Sequence, residues 1–419
     1  MKFIHAADIH LDSPLAGLSA YQDAPTDLLR TASRDAFSNL VGEAIDEAVD
    51  FMVIAGDLYD GNWKDYNTGV FFSREMGRLQ AAGIPVFLAY GNHDAESDMT
   101  RKLSLPPNVL AFPSNRPHTH RIAALKVAVH GQSFKHAATT DNLAAGYPVP
   151  LAGWLNIGVL HTALEGYAAH ANYAPCALAE LLAKGYQYWA LGHVHEYAVL
   201  QSEPWVVFSG NLQGRHIRET GARGAVLVSA EEDRILGIER IHTDVLRWHR
   251  LAVDVSAAGD LAAVVRCVGH ALSVLLEAEE GGGLPMAVRV ILQGRSAAHG
   301  DLFGSEAQLR GEILALAASL AGDRAWIEKV RVETIPEMEA SAVLARADAI
   351  ADLQALLDEA PSDPALLASL AEELNFLASR TPHELTELVP QLSAVRNGEI
   401  GTIIESVAPG LIAHLIKAG

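Results

Sequence analysis

Asp8 and His10 stand two apart in DIH, Asp57 closes the apolar run FMVIAG, and Asn92, His93 and Asp94 are consecutive in GNHD. His161 follows in VLHT, and His193 and His195 stand two apart in GHVH. Carboxylates, one amide oxygen and several imidazoles, without thiolate, form a hard to intermediate donor set. It suits Mn²⁺, Fe²⁺ or Zn²⁺ better than copper or an iron–sulfur cluster. Two divalent ions need about seven protein ligands with one carboxylate shared, and these clusters supply that number. In an extended segment, residues two apart leave the same face, so DIH and HVH are each predicted to chelate. Taken singly, each cluster has a plain alternative: GD after a strand is commonly a turn or helix cap, and HxH a satisfied polar pair. GNHD is more specific, because it couples turn chemistry to an imidazole beside a carboxylate. The whole series at successive strand exits carries the metal reading.

The elements that must hold these residues alternate. Strands are predicted at KFIHAA, FMVIAG and PVFLAY, with helices from Asp27 to Asp50 and from Tyr66 to Ala82. In the first helix Phe37, Leu40, Val41, Ala44, Ile45 and Ala48 recur at helical spacing, an apolar face for packing on a sheet. Further strands are predicted at LNIGVL, YWALG, WVVFSG and GAVLVS. Such alternation implies a mostly parallel sheet covered on both faces, whose carboxyl-end loops share one edge where ligands bind. All five clusters then converge.

This pattern extends over residues 1–247. Residues 248–336 read as a small α/β unit: strands at WHRLAVDV, AVRVILQG and WIEKVRVE, helices at Leu261–Ala278 and Ser305–Ala321, and a loop at EEGGGLP. Residues 337–419 are rich in Ala, Leu and Glu and read as helical, interrupted at Pro361, Pro364 and Pro382.

At 419 residues the chain exceeds one ordinary core, which implies about two or three domains. The formal charge of −20 argues against a protein that grips nucleic acid through a broad basic surface. Residues 1–250 carry 20 Lys+Arg against 27 Asp+Glu and residues 251–419 carry 11 against 24, so the acid is concentrated toward the C-terminal end. Carboxylates that hold cations would reverse the local sign felt by a phosphate. Cys176 and Cys267 match no ligand spacing, which favours a reducing cytoplasm. The opening MKFIHAADIHL lacks a signal peptide's apolar region, and no apolar run approaches a membrane span, so a soluble cytoplasmic chain is expected.

The series DIH, GDLYD, GNHD, LHT and GHVH resembles the calcineurin-like metallophosphoesterases. The stretches HAADIHLDSPLAGL and SGNLQGRHIRETGARGAVLV resemble the SbcD/YhaO-type DNA repair exonucleases, in their YhaO-like branch. The likeness spans about residues 1–250, extends in layout over the small second unit and is loose over the C-terminal helices. It implies a β-sandwich flanked by helices, followed by a small α/β capping domain and a C-terminal helical region that could dock a partner. Laid on this sequence, Asp8, His10 and His195 would hold one metal, Asn92, His161 and His193 a second, and Asp57 would bridge both. Two ions, Mn²⁺ foremost and Fe²⁺ or Zn²⁺ otherwise, about 3.5–4 Å apart, would activate a bridging hydroxide. His93 would protonate the leaving oxygen, with Asp94 as its orienting partner. The implied function is a DNA exonuclease working with an SMC-like ATPase of the SbcC/YhaN type and forming homodimers in some members. A small-molecule phosphodiesterase or phosphomonoesterase, or a partner subunit with modest nuclease activity, stays open as an alternative. The sequence departs from the SbcD pattern at Asp60, where those enzymes usually place a histidine. An aspartate there adds negative charge near a phosphate path, and reads as a turn former or as a partner for a nearby histidine.

Arg215, His216 and Arg218 in GRHIRET are candidate phosphate contacts, or else pair with Glu219. His118 and His120 lack a neighbouring carboxylate and read as a surface loop, His130, His136 and His170 have no supporting cluster, and Asp12 reads as a turn residue or a support to the metal centre.

Overall fold

The computed structural model describes residues 1–13, 24–60, 66–96, 105–164, 173–279, 283–303, 305–337, 343–344, 349–381 and 390–418. The described residues form two compact units, one built from residues between Met1 and Arg247, the other chiefly from Trp248–Gly419. His170 and Pro382 lie outside the described residues.

The first unit contains strands β1 (Lys2–Ala6), β2 (Phe51–Ala55), β3 (Val86–Ala89), β4 (Val109–Ala111), β5 (His118–Ile122) and β6 (Val127–Gly131). They are followed by β7 (Leu155–His161), β8 (Tyr188–Gly192), β9 (Ala198–Ser202), β10 (Trp205–Phe208), β11 (Gly224–Glu231) and β12 (Arg234–His242). They make two six-stranded sheets, in the orders β12-β11-β1-β2-β3-β4 and β5-β6-β7-β8-β10-β9. Neighbours from β1 to β4 run parallel, as do β6, β7, β8 and β10, while β11 and β12 and the edge strands β5 and β9 pair antiparallel.

The two sheets form the sandwich that the family resemblance implies, and not the single parallel sheet that strand and helix alternation alone suggests; side-chain alternation along the strands shows why. Along β2, Met52 and Ile54 join a core with Phe37, Leu40, Phe72 and Met76 from helices α1 (Thr26–Asp46) and α2 (Tyr66–Ala81). Phe51, Val53 and Ala55 face the other way and pack with Val127, Ile157, Val159 and Ala190 of the second sheet. A strand buried on both faces reads as a continuous apolar run, with no period to say whether a helix or a sheet covers each side. Each large apolar side chain buried here is worth roughly 1.5–3 kcal/mol. The outer face of the second sheet, with Leu160, Trp189, Leu191 and Phe208, is covered by Tyr147, Leu164 and Leu181.

In the second unit β13 (Arg247–Asp254), β14 (Met286–Ser296) and β15 (Ala325–Pro336) form a three-stranded sheet, with β14 and β15 parallel. The helix Leu261–Ala278 has the length and hydropathy of a membrane span, contrary to the sequence reading. It buries Val264, Val268, Leu272 and Leu276 in the core of this unit, which accounts for its apolar composition. Helices Ala349–Glu359, Pro364–Arg380, Pro390–Arg396 and Ile400–Ala418 follow.

Candidate metal centre

Five strand exits of the first unit meet. Asp8 and His10 leave β1, Asp57 leaves β2, Asn92 and His93 open the short helix after β3, His161 ends β7, and His193 and His195 follow β8. The loops after β1 and β2 continue side by side: Asp8 N–H donates to Gly56 O and His10 N–H to Asp57 O, each at 3.0 Å. Asp8, His10, Asp57 and His193 all hold positive φ, at 50°, 46°, 51° and 95°. A non-glycine residue in this region costs on the order of 1–3 kcal/mol, and packing must supply it. The extended geometry expected for DIH and HVH is thus replaced by curled loops that aim each side chain individually.

Three donor groups result. Ligand atoms of Asp8, His10 and His195 lie within 4.8 Å of one another, as do those of Asp57, His161 and His193, and a third group joins His10 to Asp60 and His93. The HVH pair is divided, His195 falling in the first group and His193 in the second. Asn92 Oδ1 stands 2.9 Å from His161 Nε2 and joins the second group. Asp57 Oδ2 lies 3.8 Å from His10 Nε2 and 3.4 Å from His161 Nε2, so one oxygen faces the first two groups. The close approach depends on glycine: a Cβ on Gly91 would sit 2.3 Å from Asp57 Oδ1, and one on Gly56, whose φ is +97°, 2.3 Å from His161 Nδ1.

Proton placement tests whether cations fit. His195 Nδ1 lies 2.7 Å from Glu219 Oε1, so it donates its proton there and Nε2 carries a lone pair. His10 Nδ1 makes a longer polar contact, 3.4 Å, with Asp60 Oδ1, which leaves its Nε2 likewise. Those two Nε2 atoms are 3.2 Å apart. His161 Nδ1 donates to Ala55 O at 3.0 Å, so its Nε2 lone pair meets the oxygens of Asn92 and Asp57. Lone pairs that converge away from water repel unless a positive charge lies among them, and the donor set fits divalent ions.

The electrostatics agree. Burial alone would push His161 down, but the charges of Asp57 and Asp8 carry it up to about 9, a proton standing where a cation would. Burial opposes ionisation of Asp57, yet the imidazoles of His161, His10 and His93 hold its carboxyl well below the usual range. Asp8 is raised, by burial first and by Asp57 among its neighbours. His10, buried and near the Arg215 guanidinium, is lowered to about 3.

His93 belongs to the third group, with His10 and Asp60, and not to the two that Asp57 Oδ2 faces. Its side chain is 38% exposed, and its Nδ1 lies 3.0 Å from Asp60 Oδ1. The Asp94 carboxylate, expected to orient His93, is spent elsewhere: it accepts from Gly91 N at 2.9 Å, Leu58 N at 3.1 Å and Tyr59 N at 2.9 Å. Those bonds pin the loops after β2 and β3 together. The two carboxylates differ accordingly. Burial, then Asp57, pushes Asp94 up to about 7. Asp60, bonded by Ser13 Oγ at 2.6 Å and facing His10 and His93, is held well below the ordinary range despite its partial burial. Asp60 thus partners two histidines, as one sequence reading allowed.

Arg215 pairs with Glu219, its N–H donating at 2.7 Å and its Nη2 at 3.3 Å, and its Nη1 reaches Ser13 Oγ at 3.3 Å. His216 and Arg218 are exposed. Asp12 accepts from Arg34 and Thr68, which ties the loop after β1 to α1 and α2. His118 and His120 lie on edge strand β5, not in a loop, and His120 packs on Phe112. His130 is structural, between Thr119 and Asn156, and His136 is exposed. Glu219 figures in the sequence reading only as an arginine partner, whereas here it accepts from His195 Nδ1 at 2.7 Å. GRHIRETG holds no candidate metal ligand, and nothing in its sequence marks that Glu219 reaches His195.

Comparison with known proteins places these features in context. The family model described as calcineurin-like phosphoesterase matches residues 1–197, and that of the metallophosphoesterase YhaO middle domain matches residues 248–335. The chain is 35% identical over 303 residues to the uncharacterized metallophosphoesterase YhaO of Bacillus subtilis, covering 70% of this chain and 72% of that one. It is 24% identical over 273 residues to the DNA double-strand break repair protein Mre11 of Sulfurisphaera tokodaii, over 60% of this chain and 65% of the relative. Against the Mre11 of Methanopyrus kandleri it is 26% identical over 216 residues, with 46% and 44% covered. A dimetal phosphatase from Danio rerio overlays with a TM-score of 0.33 at 15% identity, over 58% of this chain and 97% of that one.

Proposed function

The chain belongs to the calcineurin-like metallophosphoesterases, in their YhaO-like branch, as a metal-dependent phosphoesterase, and from that premise we propose that it hydrolyses DNA phosphodiester bonds as an exonuclease. The observation that carries the chemistry is the single oxygen, Asp57 Oδ2, facing two donor groups. Asp8, His10 and His195 would hold one ion, Asn92, His161 and His193 the other, and Asp57 both. When bound, two such cations lower the pKa of a water nucleophile and neutralise charge developing on the phosphoryl group. His93, exposed at its edge and held by Asp60, donates a proton to the leaving oxygen. Glu219 fixes the tautomer and direction of His195. Arg215 orients Glu219, while the exposed His216 and Arg218 contact phosphates outside the metal pair.

The choice of DNA draws on the archaeal relatives, which are named DNA double-strand break repair proteins. Manganese as the native ion, a cytoplasmic location, a homodimer, a capping role for residues 248–336 and docking of an SMC-like ATPase by residues 337–419 belong to the same proposal. The net charge of −20 favours such a partner, because affinity for DNA comes largely from cationic neutralisation of phosphates. One observation favours a second reading, a small-molecule phosphodiesterase: the ionised Asp60 carboxylate repels a polyanion at the edge of the site.

Mn²⁺-dependent digestion of end-labelled linear and circular DNA, beside bis-p-nitrophenyl phosphate and with Asp57→Ala as control, separates the two. The DNA reading expects end-dependent release of nucleotides from linear DNA. Cleavage of the generic diester alone sinks it.

A further inference from the structure

The second unit holds a cavity of about 530 Å³ that lies apart from its packed core. The terminal helix Ile400–Ala418 touches the unit at one point almost backbone to backbone. A Cβ on Gly300 would meet Ala413 O at 2.5 Å, and His414 Nδ1 donates to Gly300 O at 3.0 Å. Beside that contact Pro409, Ile412 and Ile416 of the same helix look across at Pro336 and Val343, and the space between them is the cavity. The cavity is partly open to solvent, and its volume falls within the roughly 300–1,000 Å³ of small-molecule sites.

The lining narrows the ligand. Ser296 Oγ donates to Ala258 O at 2.9 Å and accepts from Ala298 N at 3.1 Å, so its bonding is complete. Gln354 Nε2 is bonded to Asp358 at 2.7 Å. Glu337 is exposed at the rim, and among the described lining residues it is the one carboxylate. His299 Nδ1 is bonded to Thr334 Oγ1 at 2.8 Å, while its buried Nε2 has no hydrogen-bond partner among the described residues. A mainly apolar wall with one such polar atom favours an apolar occupant that carries a single polar group, and the rim carboxylate disfavours an anion. We infer that this cavity is a binding site for an uncharged, mainly apolar small molecule, which bridges the terminal helix to the α/β unit. Its occupancy stabilises the docked position of that helix.

Nile red, an uncharged dye that brightens in apolar surroundings, is a direct probe on the full-length chain. A Cβ on Gly259 meets no atom within 4 Å, so Gly259→Trp adds an indole to the lining with no clash at its root. The expected result is saturable one-site binding that Gly259→Trp weakens about tenfold or more, because the apolar wall supplying the affinity is covered. Ile412→Glu, which brings charge into the same wall, weakens it likewise. Hydrogen exchange of Ile400–Ala418 slows when the dye is bound, and an anionic dye of similar size, 8-anilinonaphthalene-1-sulfonate, binds this site more weakly. Absence of saturable Nile red binding, equal affinity in both variants and the wild type, tighter binding of the anion at this site, or unchanged exchange of the helix overturns the inference.

Discussion

Asp60 Oδ1 lies 3.0 Å from His93 Nδ1 and 3.4 Å from His10 Nδ1, so one carboxylate supports both a metal-ligand candidate and the exposed imidazole beside it. The arrangement explains why a carboxylate stands three residues after Asp57. It holds His93 by charge, raising its proton affinity against the penalty of burial.

Removing that support is expected to cost turnover without costing metal. Asp60→Ala lowers kcat by about 10- to 100-fold and leaves metal content unchanged, since Asp60 holds His93 at 3.0 Å but reaches the ligand candidate His10 only through a long contact of 3.4 Å to Nδ1, and its group with those two histidines does not include Asp57. Asp60→Asn, which still accepts a hydrogen bond, recovers part of the loss. Steady-state kinetics on a generic diester beside elemental analysis decides it, and loss of metal in either variant contradicts the assignment.

Glu219→Gln acts on the other side of the centre. The His195 ring loses its ionised acceptor at 2.7 Å, and Arg215 loses the same partner. Metal affinity is expected to fall about 10- to 100-fold. Calorimetric titration of the metal-free protein with Mn²⁺ reads this out, and an unchanged affinity removes Glu219 from the centre.

Gly91→Ala tests the packing under the ligands. The added methyl would stand 2.3 Å from Asp57 Oδ1 and 2.8 Å from both Asp57 N and His161 Cε1, and two of these neighbours are themselves fixed. A destabilisation of about 1–3 kcal/mol is expected together with loss of tight metal binding. Denaturant unfolding and metal analysis check the two parts, and a variant that binds both ions normally contradicts the geometry.

His5 gives the fold its own acid sensitivity. Its ring is buried between Tyr188 OH at 3.0 Å and Leu191 O at 3.2 Å, and burial lowers it to about 3. The unfolded chain, with an ordinary histidine near 6.5, then binds more protons than the folded one between those two values. Stability falls as pH drops from about 6.5 toward 3, at up to about 1.4 kcal/mol per pH unit from this group. His5→Gln keeps hydrogen-bonding capacity without titrating and flattens the slope in that window. Chemical denaturation at several pH values measures it, and parallel slopes in the two proteins contradict the prediction.

The candidate ligands are legible in the sequence because carboxylates, an amide and imidazoles stand where strands end, and strands such as FMVIA declare themselves by composition. The sandwich is implied by the family resemblance but not by periodicity: β2 is apolar on both faces, and HTHRI of β5 carries too little apolar residue to read as a strand, so the second sheet's edge reads as a loop. His93's partner was misread because Asp94 is adjacent in sequence, whereas the turn after β2 brings Asp60 across and backbone amides claim Asp94. Glu219 needed the fold: it meets His195 from 24 residues away, through a loop without periodicity.

Asp57 faces the two donor groups built on Asp8 and His161, while His93 stands outside both and pairs with Asp60, so the two side chains divide the work between them. Metal content and diester turnover measured together on Asp57→Ala and His93→Ala test it most directly. Asp57→Ala is expected to lose the metal pair and all activity, and His93→Ala to keep both ions while losing about 10²- to 10⁴-fold in turnover. A metal-free His93→Ala, or an Asp57→Ala that retains both ions, contradicts it.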